Sequence, residues 1–141
     1  MIAVIRIHGM VKVKQPVAET LDRLRLRRKY SCVVFSNPTK VQMGMIKKVQ
    51  DFVAFGEITN ETFEKLLEAR GQKLNKKKDI DAKKVIEDLE KGKKYEELNL
   101  KPFFRLHPAR GGIDTKKHFG VDKGVLGNNK EEINKLILRM I

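Results

Sequence analysis

The first 57 residues alternate between short β-rich segments and amphipathic helical segments. Segments 2–8 and 31–36, and a third that begins near residue 53, are short and rich in valine, isoleucine and phenylalanine, which is typical of strands. Between them, apolar residues recur at helical spacing after Pro16 and again after Pro38. An alternation of this kind restricts the fold to a small sheet with helices packed against it.

We therefore predict an α/β fold of the α+β plait type, with a small ferredoxin-like sheet, helices on one face, a helical insertion and a C-terminal helix. A single domain is expected to contain three parts: a core over 1–58, the helical insertion over 59–100, and a closing part over 101–141. The closing part should hold a strand, a basic loop and the last helix. Its residues 107–127 contain five glycines and little apolar periodicity, which predicts a long loop.

The last helix has the clearest pattern in the chain. Asn129 is followed three positions later by Glu132, which resembles a capping box. Four apolar residues then recur at helical spacing and predict a buried stripe: Ile133, Leu136, Ile137 and Met140.

The basic residues are concentrated at the two ends of the chain, which has a formal net charge of +13. Segment 1–56 holds 11 basic and 3 acidic residues, and segment 101–141 holds 9 and 4. The middle segment 57–100 is balanced, with 11 of each. This segregation predicts that both ends form one cationic surface facing a polyanion, with the middle turned away.

Several other classes of protein fit the sequence poorly. There is no apolar run of the roughly 18 residues that a membrane span needs, and residues 1–10 lack the layout of a signal peptide. Cys32 is the only cysteine, which excludes an internal disulfide and a multi-cysteine zinc site. Because Cys32 lies in an apolar segment, we expect a core residue and not a nucleophile. We expect a cytoplasmic protein with no metal, no cofactor, no membrane partner and no small-molecule substrate.

Two similar triplets each contain an arginine and a histidine. Arg6 and His8 are two positions apart in the first strand, and Arg105 and His107 are two apart in a later strand. Residues two apart point to the same side of a sheet, so each pair shares a face. If the two strands are close, the four side chains form a cationic panel that can bind phosphates. The alternative is an exposed sheet face with ordinary polar residues.

A second cluster holds five cations within seven positions and no acidic residue: Arg23, Arg25, Arg27, Arg28 and Lys29. These residues are predicted to extend from the C-terminal end of the first helix. Cations are favourable there because they complement the helix dipole, which accounts for one or two of them. Arginine forks also suit phosphate oxygens and stack on bases. We therefore interpret the cluster as a contact surface for nucleic acid.

The second helix and the glycine-rich loop carry further candidates. Lys40 and Lys47 are predicted to lie on a different face of the second helix from its apolar residues, which are Val41, Met45, Val49 and Phe52. Gly44 lies inside the same helix, where glycine is unfavourable. Gly44 either allows another backbone to approach or serves core packing. In the loop, Arg110 and then Lys116, Lys117 and His118 suggest a segment that becomes ordered against RNA. The alternative is a flexible surface loop.

Segments 39–49 (TKVQMGMIKKV) and 51–57 (DFVAFGE) resemble the central part of the large-subunit ribosomal protein family numbered thirty. Segments 106–112 (LHPARGG) and 126–128 (LGN) resemble later parts of its longer, archaeal-type members. The resemblance implies a structural, non-catalytic protein of the cytoplasmic ribosome that binds large-subunit ribosomal RNA and other ribosomal proteins. The 5S ribosomal RNA is a further candidate partner.

The expected RNA contacts combine these groups: Arg6, His8, Arg23, Arg25, Arg27, Arg28, Lys29, Lys40, Lys47, Arg105, Arg110, Lys116, Lys117 and His118. Two other functions stay open at this point. One is a small enzyme that acts on an anionic substrate, with His8 and His107 as acid and base. The other is a protein-interaction module with residues 57–100 as its docking surface.

Overall fold

The computed structural model describes residues 1–9, 11–113, 115–118 and 124–141. Its strands are β1 (Ile2–Arg6), β2 (Ser31–Phe35), β3 (Val53–Glu57), β4 (Phe104–Arg105), β5 (Thr115–His118) and β6 (Gly124–Asn128). Its α-helices are α1 (Gln15–Arg23), α2 (Lys40–Lys48), α3 (Asn60–Arg70), α4 (Ala82–Glu90) and α5 (Ile133–Met140). Short 3₁₀ turns cover Glu96–Leu98 and Lys130–Glu132.

The described strands form one mixed sheet in the order β4-β2-β1-β3-β6-β5. The central strand β1 is antiparallel to β2, with Ile5 opposite Cys32, and antiparallel to β3. Strand β4 extends the sheet antiparallel to β2, with Phe104 also opposite Cys32. Strand β6 pairs parallel to β3, with Gly127 opposite Ala54. The predicted plait is confirmed, and strands from both ends of the chain share its sheet. The division into three parts stays an interpretation.

The prediction that the helices lie on one face of the sheet is wrong. Helices cover both faces, because side chains alternate along each strand and each face carries its own apolar cluster. On one face, Val4 packs in a cluster with Leu21 of α1 and Ile46 of α2. On the other face, Ile5 packs in a cluster with side chains of α3, α4 and α5. These side chains include Phe63, Leu66, Val85, Leu89, Ile133 and Ile137. The helices of the 59–100 insertion are therefore part of the core, on the face opposite α1 and α2.

The helix starts and faces differ in detail from the sequence pattern. Helix α2 is capped by Thr39, whose hydroxyl accepts from the Gln42 backbone N–H while the Gln42 side chain accepts from the Thr39 N–H. The predicted apolar face of α2 is wrong at Val41, which is 73% exposed, whereas Ile46 is fully buried.

The capping box predicted for the last helix is also wrong. The buried Asn129 side chain donates to backbone carbonyls before the helix, and a 3₁₀ turn precedes α5. The predicted stripe of α5 is buried as expected.

The long loop predicted over 107–127 is wrong, since β5 and part of β6 lie within it. Its first part is held by the end of α5. The His107 N–H donates to the Met140 carbonyl and the Arg110 N–H to the Arg139 carbonyl, each at 2.9 Å. The Arg139 side chain in turn donates to the carbonyls of Arg110 and Gly112. These contacts hold this part of the segment against the end of α5. None of the helices in the described ranges is long and apolar enough to cross a membrane.

Candidate nucleic-acid interface

The turn after α1 directs a series of arginines into solvent. Helix α1 ends at Arg23, earlier than predicted, and Arg25 has a left-handed backbone with φ 63°. Leu24 and Leu26 are buried in the core under α1 and α2, and the Leu26 N–H donates to the Leu21 carbonyl at 2.9 Å. Because the leucines anchor this segment, the alternating residues Arg23, Arg25 and Arg27 are exposed, as is Arg28.

This turn meets strand β4 and forms a cavity of about 230 Å³, which we call the basic pocket. The basic pocket is lined by Arg25, Arg27, Arg28, Ser31, Phe103 and Arg105. None of these lining residues is acidic. Residues that are about 80 positions apart in the sequence thus place four guanidinium groups around one small cavity. Such a cavity suits phosphate oxygens, which accept the forked N–H donors of arginine.

An aromatic ring forms part of the basic pocket. The guanidinium carbon of Arg105 lies 5.5 Å from the centroid of the Phe103 ring, within the range of a cation–π contact. Phe103 is partly buried against the core under α1 and α2, so its position is fixed by packing. The ring therefore favours one position of the Arg105 guanidinium, while the Arg105 side chain stays exposed.

Two acidic residues approach the rim of the basic pocket. Arg27 Nε lies 2.7 Å from Asp22 Oδ1, and Arg25 Nη2 lies 4.0 Å from Glu96 Oε1. All four side chains are at least half exposed, and exposed ion pairs contribute little stability. In the described part of the chain, Arg28 and Arg105 form no salt bridge. A phosphate can therefore compete for these arginines at little energetic cost.

A larger groove of about 380 Å³ adjoins the basic pocket and shares Arg25 with it. Its lining includes Arg23, Asn37, Lys93 and Lys94 above an apolar floor. Lys93 and Lys94 belong to the balanced middle segment, so the prediction that this segment is turned away is wrong. Near the groove, the Tyr95 hydroxyl donates to the Val34 carbonyl at 2.6 Å and holds the segment after α4 against β2.

Arg6 is not part of this surface, and its predicted exposure is wrong. Its side chain is 4% exposed and donates to the carbonyls of Leu26 at 2.7 Å, His8 at 3.0 Å and Gly9 at 3.4 Å. Burial lowers the pKa of the Arg6 guanidinium. By holding the Leu26 carbonyl, Arg6 positions the turn that carries Arg25 and Arg27. It therefore acts as a positioning residue.

The single panel predicted for the two arginine–histidine pairs is also wrong. Strand β2 separates β1 from β4 in the sheet. The His8 ring packs edge-on against Phe52, and its Nδ1 lies 3.0 Å from the Gly9 carbonyl. His107 is exposed and is held through its backbone by the end of α5. The two histidines thus belong to different local structures, which gives the acid–base hypothesis no geometric support.

The remaining predicted contacts are distributed over the surface. Lys29 Nζ lies 5.1 Å from the centroid of the Tyr30 ring, and Arg23 pairs with Glu19 at 3.0 Å. Lys40 and Lys47 are exposed on α2. Arg110 borders a separate cavity with residues of α3 and α5, on the opposite side of the sheet. The side chains of Lys116, Lys117 and His118 lie outside what the structure describes.

The sequence patterns missed Ser31, Phe103, Lys93 and Lys94 as neighbours of the arginine cluster. Phe103, which immediately precedes β4, and Arg105 within β4 are two positions apart, and this spacing is visible in the sequence. Lys93 and Lys94 carried no such signal because they lie among acidic residues in the chain.

Cys32 is fully buried, and burial raises the pKa of its thiol to about 12, as expected for a core cysteine. Within the described residues, no group of three histidine, cysteine or acidic side chains could hold a metal ion.

Comparison with known proteins identifies the family. Residues 2–53 match the family model described as ribosomal protein L30p/L7e. The chain is 40% identical to the large ribosomal subunit protein uL30 of Archaeoglobus fulgidus, over 99% of both chains. It is 40% identical to the protein of that name from Pyrobaculum aerophilum, over 99% of this chain and 93% of the relative. It is 34% identical to the one from Methanosphaera stadtmanae, over the full length of both. The protein therefore belongs to the L30p/L7e family of ribosomal proteins.

Proposed function

We propose that this chain is a structural component of the large ribosomal subunit in the cytoplasm and that it binds large-subunit ribosomal RNA through the basic pocket. One observation carries this proposal: Arg25, Arg27, Arg28 and Arg105 surround one cavity that has no acidic lining residue. The names of its relatives support the assignment to the large subunit.

The mechanism is recognition of the RNA backbone. Phosphates enter the basic pocket and displace Asp22 and Glu96 from the exposed pairs with Arg27 and Arg25. The guanidinium of Arg105, held by Phe103, offers a planar face and edge N–H donors in a fixed position. Contacts of this kind fix register and orientation but read little base sequence. The larger groove extends the positive surface through Arg23, Lys93 and Lys94.

The finer assignment of partners belongs to the same proposal. We propose large-subunit ribosomal RNA as the principal partner, 5S ribosomal RNA as a second candidate, and neighbouring ribosomal proteins for the side of the molecule that carries Arg110. The hypothesis that residues 57–100 form a protein-docking module fits the structure less well than RNA binding does, because the helices of this segment are packed into the core. Deleting them would expose the sheet and would not isolate a docking function.

The test is a binding assay with a matched charge control. The double variant Arg28→Gln, Arg105→Gln removes two positive charges from the basic pocket. The control Lys83→Gln, Lys84→Gln removes two from exposed positions on α4 that line none of the cavities described here. We expect the first to weaken binding to purified large-subunit ribosomal RNA roughly tenfold and the second to have little effect. Equal losses from both variants would contradict a role for the basic pocket. The same titration with 5S ribosomal RNA compares the two RNA partners.

A further inference from the structure

One face of α2 is fully exposed and has no acidic residue. It consists of Lys40, Val41, Gly44, Lys47 and Lys48, which recur at the spacing of a single helix face. All five are exposed, and Val41 is 73% exposed. Helix α2 contains no aspartate or glutamate at all. Its outer face therefore combines a cationic border with an exposed apolar side chain and a glycine.

The glycine in this face has no explanation in the fold itself. Gly44 lies inside α2 and does not have the left-handed backbone that favours glycine. Apart from its chain neighbours and the nearby backbone of α2 itself, a methyl group on residue 44 would meet no atom within 4 Å. An alanine would therefore fit the free protein, and alanine is much more favourable than glycine inside a helix. The absent side chain therefore gives the isolated protein no packing advantage.

We propose that Gly44 is the point at which the sugar–phosphate backbone of ribosomal RNA approaches the main chain of α2. Val41 then packs against a ribose, and Lys40, Lys47 and Lys48 neutralise the flanking phosphates. This inference rests on the proposed function and adds a second contact region on the same side of the sheet as the basic pocket.

The charge of the face favours RNA over a protein partner. Three lysines around one apolar residue match a polyanion, whereas an apolar helix would leave all three ammonium groups without partners. The wide, shallow minor groove of an RNA helix displays riboses and 2′-hydroxyls that a smooth helix face can contact. A side chain at residue 44 would hold that groove away from the helix.

The test compares three glycine variants of the full chain. Gly44→Ala should raise the midpoint of denaturant unfolding and, at the same time, weaken binding to purified large-subunit ribosomal RNA at least fivefold. Gly44→Gln should weaken binding further because its side chain is larger. Gly9→Ala is the matched control, since Gly9 also has open space around its Cβ position and lacks a left-handed backbone. It should leave RNA affinity within twofold of wild type.

The outcomes separate this inference from the proposed function. If both Gly44 variants bind RNA like wild type while the Arg28→Gln, Arg105→Gln variant binds weakly, the α2 contact is overturned and the basic pocket stands. If RNA binding is unchanged but a Gly44 variant no longer assembles into large subunits, the face docks a protein and the RNA assignment is overturned. If none of these variants weakens RNA binding, both proposals fail.

Discussion

Arg105 of the edge strand β4 and Phe103, which immediately precedes that strand, form a cation–π pair with the guanidinium carbon 5.5 Å from the ring centroid. The ring belongs to the core under α1 and α2, and the charge belongs to the surface. This pair joins the closing part of the chain to the arginine turn that follows α1. It is the place where the two basic ends of the chain meet.

Replacing Phe103→Leu should weaken RNA binding without removing a charge. Leucine keeps apolar contact with the core but removes the ring that holds the Arg105 guanidinium. The expected loss is about 0.5–1 kcal/mol of binding free energy, the usual size of an exposed cation–π contact, or about two- to fivefold in affinity. Isothermal titration with ribosomal RNA measures it. Phe52→Leu, which changes a ring that contacts His8 instead, is the control and should bind normally. A normal affinity for Phe103→Leu would show that the ring is not needed.

Arg6→Lys should destabilise the fold, because lysine cannot reproduce the donors that reach the carbonyls of Leu26, His8 and Gly9. We expect the free energy of unfolding to fall by about 1–3 kcal/mol, as for other buried groups that lose hydrogen bonds. Urea unfolding followed by circular dichroism measures this change. A variant as stable as wild type would show that these three hydrogen bonds do not stabilise the fold.

Gly44→Ala should stabilise the isolated protein by about 1 kcal/mol, the difference between the two residues in a helix interior. The gain is expected because the added methyl group meets no neighbour within 4 Å. The midpoint of urea unfolding should therefore rise with an unchanged slope. A loss of stability would mean that residue 44 is constrained by the fold, and the argument for a partner at α2 would fail.

Stability should fall at alkaline pH through Cys32. The thiol has an ordinary pKa of 9.0, and burial raises it to about 12 in the folded state. Above pH 9 the unfolded chain releases this proton while the folded chain retains it, so the free energy of unfolding decreases as pH rises. The largest slope is about 1.4 kcal/mol per pH unit, and the decrease ends near pH 12.

The contribution of Cys32 can be isolated from other groups that titrate in this range. Tyr95 also has a raised pKa because of burial and the nearby Cys32, and it acts in the same direction. The difference between wild type and Cys32→Ala in urea unfolding, measured from pH 8 to 10.5, reports the thiol together with its effect on Tyr95, while the burial of Tyr95 is common to both proteins. Parallel pH profiles for the two proteins would contradict the burial of this group.

Local patterns predicted the core elements well because each segment carries its own signal. Strands β1 and β2 follow from short runs rich in β-branched residues, β3 from the short apolar run before Gly56, and the stripe of α5 from its periodicity. Features that depend on contacts between distant parts of the chain could not be predicted from local sequence patterns. The exposure of Val41 and the burial of Arg6 are decided by which elements pack beside them. Strand β6 has two glycines and little apolar pattern, yet it pairs with β3.

The sequence predicted many of the residues that form the candidate site, but it did not predict how they come together in space. The arginine cluster after α1 was identified from its dense cations without acidic neighbours, and Arg105 from its two-residue spacing to His107. Their meeting in one pocket depends on β4 pairing beside β2, which no local signal specifies. The same limit explains why Arg110 was grouped with them, although the end of α5 holds its loop on the other side of the sheet.

The salt dependence of RNA binding tests the role of the basic pocket most directly. Each phosphate contact contributes about 0.7–0.9 to the negative slope of log affinity against log salt concentration. Wild type should show a steep slope, and the Arg28→Gln, Arg105→Gln variant should show one that is shallower by about 1.5, while Lys83→Gln, Lys84→Gln keeps the wild-type slope. A shallow wild-type slope, or the same slope for all three proteins, would contradict phosphate binding at the basic pocket.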